Sequence, residues 1–211
     1  MKINLPTQLT LLRLVLVPFF LVFTISDNLA TRIAALIIFI GASITDLYDG
    51  KLARQRNEVT TLGIFLDPLA DKFLISSAFI AFVQLPEIYV PAWMVILIIG
   101  REFLITGLRT LAASRGRIIP AAPAGKFKTT SQIVAIITIL VILCANSFIE
   151  RFGGLPVESG HSDTFWYAFA WTLRGGPYWL TFITAIFTIL SGYLYLRQNM
   201  DLLRDDGKIH H

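Results

Sequence analysis

Four aspartates lie close together in an otherwise apolar part of the sequence. Asp46 and Asp49 are three residues apart and Asp67 and Asp71 are four apart, so each pair would share one helix face. A charged residue at the centre of a membrane helix costs about 2.5–3.5 kcal/mol on insertion scales. Grouped carboxylates therefore predict a bound positive charge, and their hard oxygen ligands favour Mg²⁺, Mn²⁺ or Ca²⁺ over zinc.

Small residues and one arginine accompany these aspartates in a way that fits phosphate chemistry. Gly50, Ala53 and Gly63 keep side chains out of the way, which would let a bulky ligand approach the backbone. Arg54 carries a fixed positive charge that can grip phosphate oxygens with two parallel hydrogen bonds. Paired metal ions about 3.5–4 Å apart stabilise the attacking and leaving oxygens of phosphoryl transfer. The region therefore predicts metal-assisted phosphoryl-transfer chemistry.

Two other interpretations of the aspartates stay open. They could be ordinary charges at helix ends facing the cytosol, although Asp71 lies well inside an apolar run. Acidic residues within membrane helices also mark ion pathways, so a divalent-cation transporter is the second functional hypothesis. Arg54 and the two glycines favour a phosphate ligand, because a cation pathway has little use for a fixed arginine beside its site.

The composition predicts an integral membrane protein. Of the 211 residues, 55% are hydrophobic and only 15% are charged, and the mean hydropathy is +0.67. Soluble domains are about 45–50% apolar and about 25% charged. Cys144 is the only cysteine, which excludes an intrachain disulfide and a cysteine-based metal site.

Six apolar runs predict an all-α protein with about six transmembrane helices, since a spanning helix needs about 20 apolar residues. We expect one transmembrane domain over residues 1–211, with a short interfacial segment before the first helix. A cleaved signal peptide is the alternative for the N-terminus, but Arg13 interrupts its apolar stretch. The predicted helices cover about residues 9–25, 31–54, 61–84, 91–114, 124–149 and 178–203.

Residues 151–177 are predicted to form a long loop with a short interfacial helix. The aromatic run from Phe165 to Trp171 is typical of the membrane–water interface, where tryptophan and tyrosine are enriched. We expect this segment to anchor the protein in the membrane rather than to bind substrate.

Basic residues predict the orientation of the chain. The side opposite the aspartates has only Arg32, Arg151 and Arg174 in this topology. The positive-inside rule therefore places both termini, and the aspartate region, on the cytoplasmic side. The basic residues on that side are Lys2, Lys51, Arg54, Arg56, Arg109, Arg115, Arg117, Lys126, Lys128, Arg197, Arg204 and Lys208.

The aspartate region resembles the signature of the CDP-alcohol phosphotransferase family. That signature is D-x2-D-G-x2-A-R-x8-G-x3-D-x3-D, and residues 46–71 fill every fixed position. Three further segments, residues 5–13, 100–109 and 125–130, look like the bacterial members that make phosphatidylglycerophosphate. The resemblance covers most of the chain to about residue 130.

This resemblance implies transfer of a phosphatidyl group from CDP-diacylglycerol to sn-glycerol 3-phosphate, with release of CMP. Asp46, Asp49 and Asp67 would hold two Mg²⁺ or Mn²⁺ ions, and Asp71 would be both a metal ligand and the general base. The resemblance also implies a homodimer in the bacterial cytoplasmic membrane, with its active site facing the cytoplasm. The residues expected to line the CDP pocket are Gly50, Ala53, Arg54 and Gly63.

The acceptor is itself a phosphate ester and needs its own cations. Arg101, Arg109 and Lys126 are the residues expected to bind the acceptor phosphate, and Arg101 beside Glu102 is predicted to be functional or ion-paired. Arg115 and Lys128 are further basic residues of this region, and a topology signal or a contact with anionic lipid headgroups stays open as the alternative interpretation of both. Inositol phosphate, serine and phosphatidylglycerol stay open as alternative acceptors.

Overall fold

The described part of the protein is a bundle of six α-helices. The computed structural model describes residues 5–56, 61–114, 123–152 and 164–199, and the side chains of 8–45, 70, 72–113, 128–151 and 172–199. Those ranges contain no strand. The helices are α1 Leu5–Ile25, α2 Leu29–Arg56, α3 Thr61–Gln84, α4 Ala92–Ser114, α5 Pro123–Phe152 and α6 Thr164–Gln198.

The first five predicted helices are confirmed to within a few residues at each end. The predicted loop over 151–177 is wrong in part, because α5 continues to Phe152 and α6 begins at Thr164. The aromatic segment and the last apolar run thus form one helix that passes through Pro177. Proline removes one backbone hydrogen bond, a loss that membrane helices tolerate. Residues 1–4, 153–163 and 200–203, on which the other end predictions fall, lie outside the described ranges.

Short turns join the helices at the end of the bundle where α1 ends. Asn28 caps α2, because its Oδ1 accepts a hydrogen bond from the Ala30 N–H at 3.0 Å. The connection from α3 to α4 is held by the Ile88 N–H, which donates to the Leu85 carbonyl at 3.4 Å. Pro91 precedes α4, and its carbonyl accepts from the Met94 N–H at 3.1 Å. Because these turns are short, α1 and α2 run antiparallel to each other, and so do α3 and α4.

Helix α3 packs against α1, α4 and α5, while α6 packs against α4 and α5. Helix α2 packs on α1 and α5. The common core is rich in aromatic side chains, and the rings of Phe20 and Phe39 meet with centroids 5.7 Å apart. Phe79 and Phe82 form an edge-on pair at 6.3 Å. This core fixes the relative positions of the helices that carry the candidate site.

Much of the outer surface of the bundle is apolar, as Ile37 and Ile96 show with 64% and 68% of their surface exposed. Among the described residues, three helical segments are long and apolar enough to cross a bilayer, at Gln8–Ile25, Lys128–Arg151 and Thr172–Gln198. Exposed apolar side chains on such helices are expected when lipid is the solvent, so these features are those of a membrane protein.

Candidate active site

A buried polar cluster lies where α4, α5 and α6 meet. The Glu102 carboxylate of α4 binds two cations through Oε1, because Arg101 Nη1 lies 3.4 Å away and Lys128 Nζ of α5 contacts the same atom. The side chains of Arg101 and Glu102 are only 13% and 14% exposed, and that of Lys128 is 6% exposed. Charges removed from water in this way are stable only when paired, so Glu102 holds the two cations together.

Helix α6 contributes the third wall of this cluster. Arg101 Nη2 donates to Ser191 Oγ at 3.1 Å, and Ser191 Oγ donates in turn to the Thr188 carbonyl at 3.0 Å. Gly192 faces the stem of the same arginine, because a Cβ built on this glycine would lie 3.0 Å from Arg101 Cγ. The arginine therefore runs directly over the α6 backbone.

A second cation contact joins α4 to α6 further along both helices. The Arg109 guanidinium carbon lies 5.7 Å from the centre of the Tyr195 ring, within the range of a cation–π interaction. Tyr195 is buried, and its hydroxyl has no hydrogen-bond partner among the described residues. Arg109 itself is exposed, so its charge stays accessible to a ligand.

The opposite end of the bundle is tied together by Arg32 of α2. Its guanidinium binds Glu87 in the α3–α4 turn, and its Nη1 donates to Ser147 Oγ of α5 at 2.8 Å. These contacts place the start of α2, the end of α3 and the second half of α5 at one level. Distances along α2, α3 and α5 can therefore be measured from this shared end of the bundle.

The aspartates lie on α2 and α3, far from the end of the bundle that Arg32 ties together. At about 1.5 Å per residue, Asp46 and Asp49 are about 21 and 26 Å from Arg32 along α2. Asp71 and Asp67 are about 20 and 26 Å from the end of α3. Lys128 is about 28 Å from Ser147 along α5 by the same measure. The helical segments that carry the four aspartates thus lie toward the same end of the bundle as Lys128.

The remaining predicted site residues also fall on helices, but their side chains lie outside the described part of the structure. This holds for the aspartates themselves and for the positions expected to contact CDP. Among the side chains that are described, no group of three His, Cys, Asp or Glu residues could hold a metal ion. The residues concerned are Asp46, Asp49, Gly50, Ala53 and Arg54 of α2, Gly63, Asp67 and Asp71 of α3, and Lys126 of α5.

The structure brings Arg101 together with Glu102 and Lys128, which the sequence suggests, and with Ser191, which it does not. Glu102 was noted as a neighbour, and the ion pair with Arg101 is present. The two interpretations of Lys128 that the sequence leaves open are now distinguished, because its side chain is buried and contacts Glu102 as part of the buried cluster. Ser191 and Tyr195 lie on the last helix, far away in sequence, and no local pattern marks them.

Comparisons with known proteins assign the chain to a family. A family model described as CDP-alcohol phosphatidyltransferase matches residues 3–188. The chain is 36% identical over 213 residues to the Bacillus subtilis strain 168 protein named CDP-diacylglycerol–glycerol-3-phosphate 3-phosphatidyltransferase, covering 95% of this chain and 97% of that protein. An Escherichia coli K12 protein of the same name is 41% identical over 145 residues, or 66% of this chain and 78% of that protein.

A third relative carries a related name. The probable phosphatidylglycerophosphate synthase of Mycobacterium tuberculosis H37Rv is 46% identical over 136 residues, which are 63% of this chain and 64% of that protein. The family match extends from the start of α1 into α6, and it includes the aspartate region together with Arg101, Glu102 and Lys128 of the buried cluster, while Ser191 lies just beyond it. The chain belongs to the CDP-alcohol phosphatidyltransferase family and is a transferase.

Proposed function

We propose that this protein transfers the phosphatidyl group of CDP-diacylglycerol to sn-glycerol 3-phosphate, giving phosphatidylglycerophosphate and CMP. The observation that carries the proposal is the similarity over 95% of the chain to a relative named for this reaction. The buried cations of α4 and α5 support it, since an acceptor with a phosphate of its own needs such groups.

The proposed setting is the cytoplasmic membrane of a bacterium, with all six helices spanning the bilayer and both termini in the cytoplasm. The three apolar spans and the distribution of basic residues support this topology. The aspartate region then opens toward the cytoplasm, where glycerol 3-phosphate is dissolved. A homodimer is proposed on the family resemblance.

On the donor side, Asp46, Asp49, Asp67 and Asp71 would hold Mg²⁺ or Mn²⁺, two ions in our proposal. The donor set fits a hard divalent cation, because it consists of carboxylates at helical spacings of three and four with no histidine or cysteine nearby. When bound, such ions neutralise negative charge on the diphosphate and on the leaving group. The positions expected to surround the CDP portion are Gly50, Ala53, Arg54 and Gly63.

Asp71 is the proposed general base. Its carboxylate would take the proton from the acceptor hydroxyl while that oxygen attacks the phosphorus that carries diacylglycerol. The new bond joins the acceptor oxygen to this phosphorus, and the bond that breaks releases CMP. A base must be free to accept a proton, so Asp71 is expected to be the least committed of the four to metal.

On the acceptor side, Arg101, Arg109 and Lys126 are proposed to bind the phosphate of glycerol 3-phosphate. Arg101 is supported by its placement beside Lys128, and Arg109 by its stacking on Tyr195, which orients an exposed guanidinium. Lys126 lies two residues before Lys128, at the start of α5. These cations would hold the acceptor so that its hydroxyl reaches the donor phosphorus.

Release of CMP from CDP-diacylglycerol tests the proposal directly. The purified protein is incubated with Mg²⁺ and CDP-diacylglycerol, alone and with glycerol 3-phosphate, inositol phosphate, serine or phosphatidylglycerol in turn. We expect CMP release that depends on glycerol 3-phosphate and is much slower with the other acceptors. Faster CMP release with another acceptor would refute the proposed reaction. CMP release at the same rate with and without any acceptor would refute the transfer itself.

A further inference from the structure

We propose that Glu102, Ser191 and Gly192 are positioning residues that hold the Arg101 guanidinium ready for the acceptor phosphate. This inference rests on the proposed function, because it takes Arg101 as a ligand of glycerol 3-phosphate. None of the three need touch the acceptor. Their role would be to fix one arginine between two helices, so that binding does not have to order it.

Two partners fix the two ends of the guanidinium group. Nη1 of Arg101 lies 3.4 Å from Glu102 Oε1, and Nη2 lies 3.1 Å from Ser191 Oγ. The Ser191 hydroxyl donates its own hydrogen to the Thr188 carbonyl at 3.0 Å, so its oxygen is left to accept from the arginine. The hydroxyl therefore has a defined orientation, and it defines the position of Nη2.

Gly192 supplies the space through which the arginine passes. A Cβ at this position would lie 3.0 Å from Cγ and 3.5 Å from Nε of Arg101. The arginine side chain is fixed by its backbone at one end and by the contacts of its guanidinium at the other, so Cγ cannot move away freely. Gly41, by contrast, has nothing within 4 Å of such an atom. A methyl group at Gly192 would therefore push Arg101 aside by a few tenths of an ångström, whereas a methyl group at Gly41 would not.

The arginine held in this way can still bind an anion. Each terminal nitrogen of a guanidinium carries two hydrogens, and the two contacts need only one hydrogen from each. Glu102 also contacts Lys128, so the same carboxylate keeps a second positive charge near the first. Cations that are already fixed bind a phosphate with less loss of side-chain entropy than mobile ones.

Kinetics of full-length variants test this positioning role. Gly192→Ala and Ser191→Ala are compared with the matched controls Gly41→Ala and Ser77→Ala; Ser77 is a buried serine whose hydroxyl bonds the Leu74 carbonyl of its own helix at 2.8 Å. The KM for glycerol 3-phosphate should rise about tenfold in the two test variants, which corresponds to about 1.4 kcal/mol. The KM for CDP-diacylglycerol should change little, and both controls should match the wild type.

A double-mutant cycle separates positioning from simple helix packing. If Gly192→Ala acts through Arg101, it should cause no further rise in the glycerol 3-phosphate KM when Arg101→Ala is already present. An equal further rise in that background would overturn the proposal, as would equal rises in both KM values. Ser191→Ala removes a single atom, and it carries the test if Gly192→Ala does not fold.

The possible failures are distinguishable from one another. A wild-type protein that releases no CMP in response to glycerol 3-phosphate would refute the proposed function itself. An active wild type, with both test variants showing an unchanged glycerol 3-phosphate KM, would overturn only the positioning role.

Discussion

Replacing Arg32 by methionine should destabilise the helix bundle while leaving the glycerol 3-phosphate requirement unchanged. Only 3% of the Arg32 side chain is exposed, and its guanidinium joins the α3–α4 turn to α5. Its Nε also donates to the Ser26 carbonyl at 3.0 Å, in the turn between α1 and α2. One side chain of α2 thus joins the α1–α2 turn, the α3–α4 turn and α5 at the end of the bundle that lies away from the aspartates.

The expected loss of stability follows from the Glu87 carboxylate, which the substitution leaves without its cation. Glu87 is 20% exposed and would lose its cation, and breaking a buried ion pair from one side costs about 3–5 kcal/mol. Asp27 is 93% exposed, so its pairing with Arg32 contributes little. For a chain of this length, about 1 kcal/mol lowers the melting temperature by about 2–4 °C, which predicts a fall of about 6–20 °C.

Thermal unfolding in detergent, followed by CMP-release kinetics, measures both parts of this prediction. Arg174→Met is the control, because Arg174 is an exposed arginine near the start of α6, at the same end of the bundle. Adding Glu87→Gln to Arg32→Met should recover part of the stability, since the unpaired charge is then removed. Arg32 lies about 21 Å from Asp46 along α2, so the KM for glycerol 3-phosphate should not change. Unchanged melting together with a higher KM would refute the reasoning.

Three further predictions concern the chemistry. Asp71→Asn should abolish turnover while CDP-diacylglycerol binding, measured by equilibrium dialysis, is largely kept; normal turnover would exclude Asp71 as the base. Tyr195→Leu should raise the glycerol 3-phosphate KM about two- to thirtyfold, as expected for loss of about 0.5–2 kcal/mol of cation–π energy, whereas Tyr195→Phe keeps the ring under Arg109 and should not. EDTA should stop CMP release and Mg²⁺ or Mn²⁺ should restore it; activity that persists under chelation contradicts the metal assignment.

The helices were largely predictable because membrane helices leave strong apolar runs in a sequence. The one large error lies at the start of α6, where the helix passes through Gly175, Gly176 and Pro177, residues that are typical of a turn in water. Within the bundle the helix continues through them, because alternatives to the helical hydrogen bond are scarce in lipid. Local propensity was therefore a poor guide at this position.

The candidate site was only partly predictable, because some of its residues are close together in the sequence and others are far apart. The aspartates and the glycines between them lie within 26 residues of sequence, and their spacing is itself the signal. The buried cluster joins α4 to α6 through a hydrogen bond between Arg101 and Ser191, 90 positions apart in sequence. Nothing near Ser191 in the sequence distinguishes it from other serines in apolar helices. Only packing of the two helices reveals that it holds an arginine.

The fate of the acceptor phosphate tests the central claim most directly. The purified protein is supplied with CDP-diacylglycerol, Mg²⁺ and glycerol 3-phosphate labelled on its phosphorus, and the lipid products are identified by mass spectrometry. The account predicts a labelled lipid with the mass of phosphatidylglycerophosphate, formed in equal amount with CMP and absent with Asp71→Asn. Label that stays in the water-soluble fraction while CMP accumulates would contradict it.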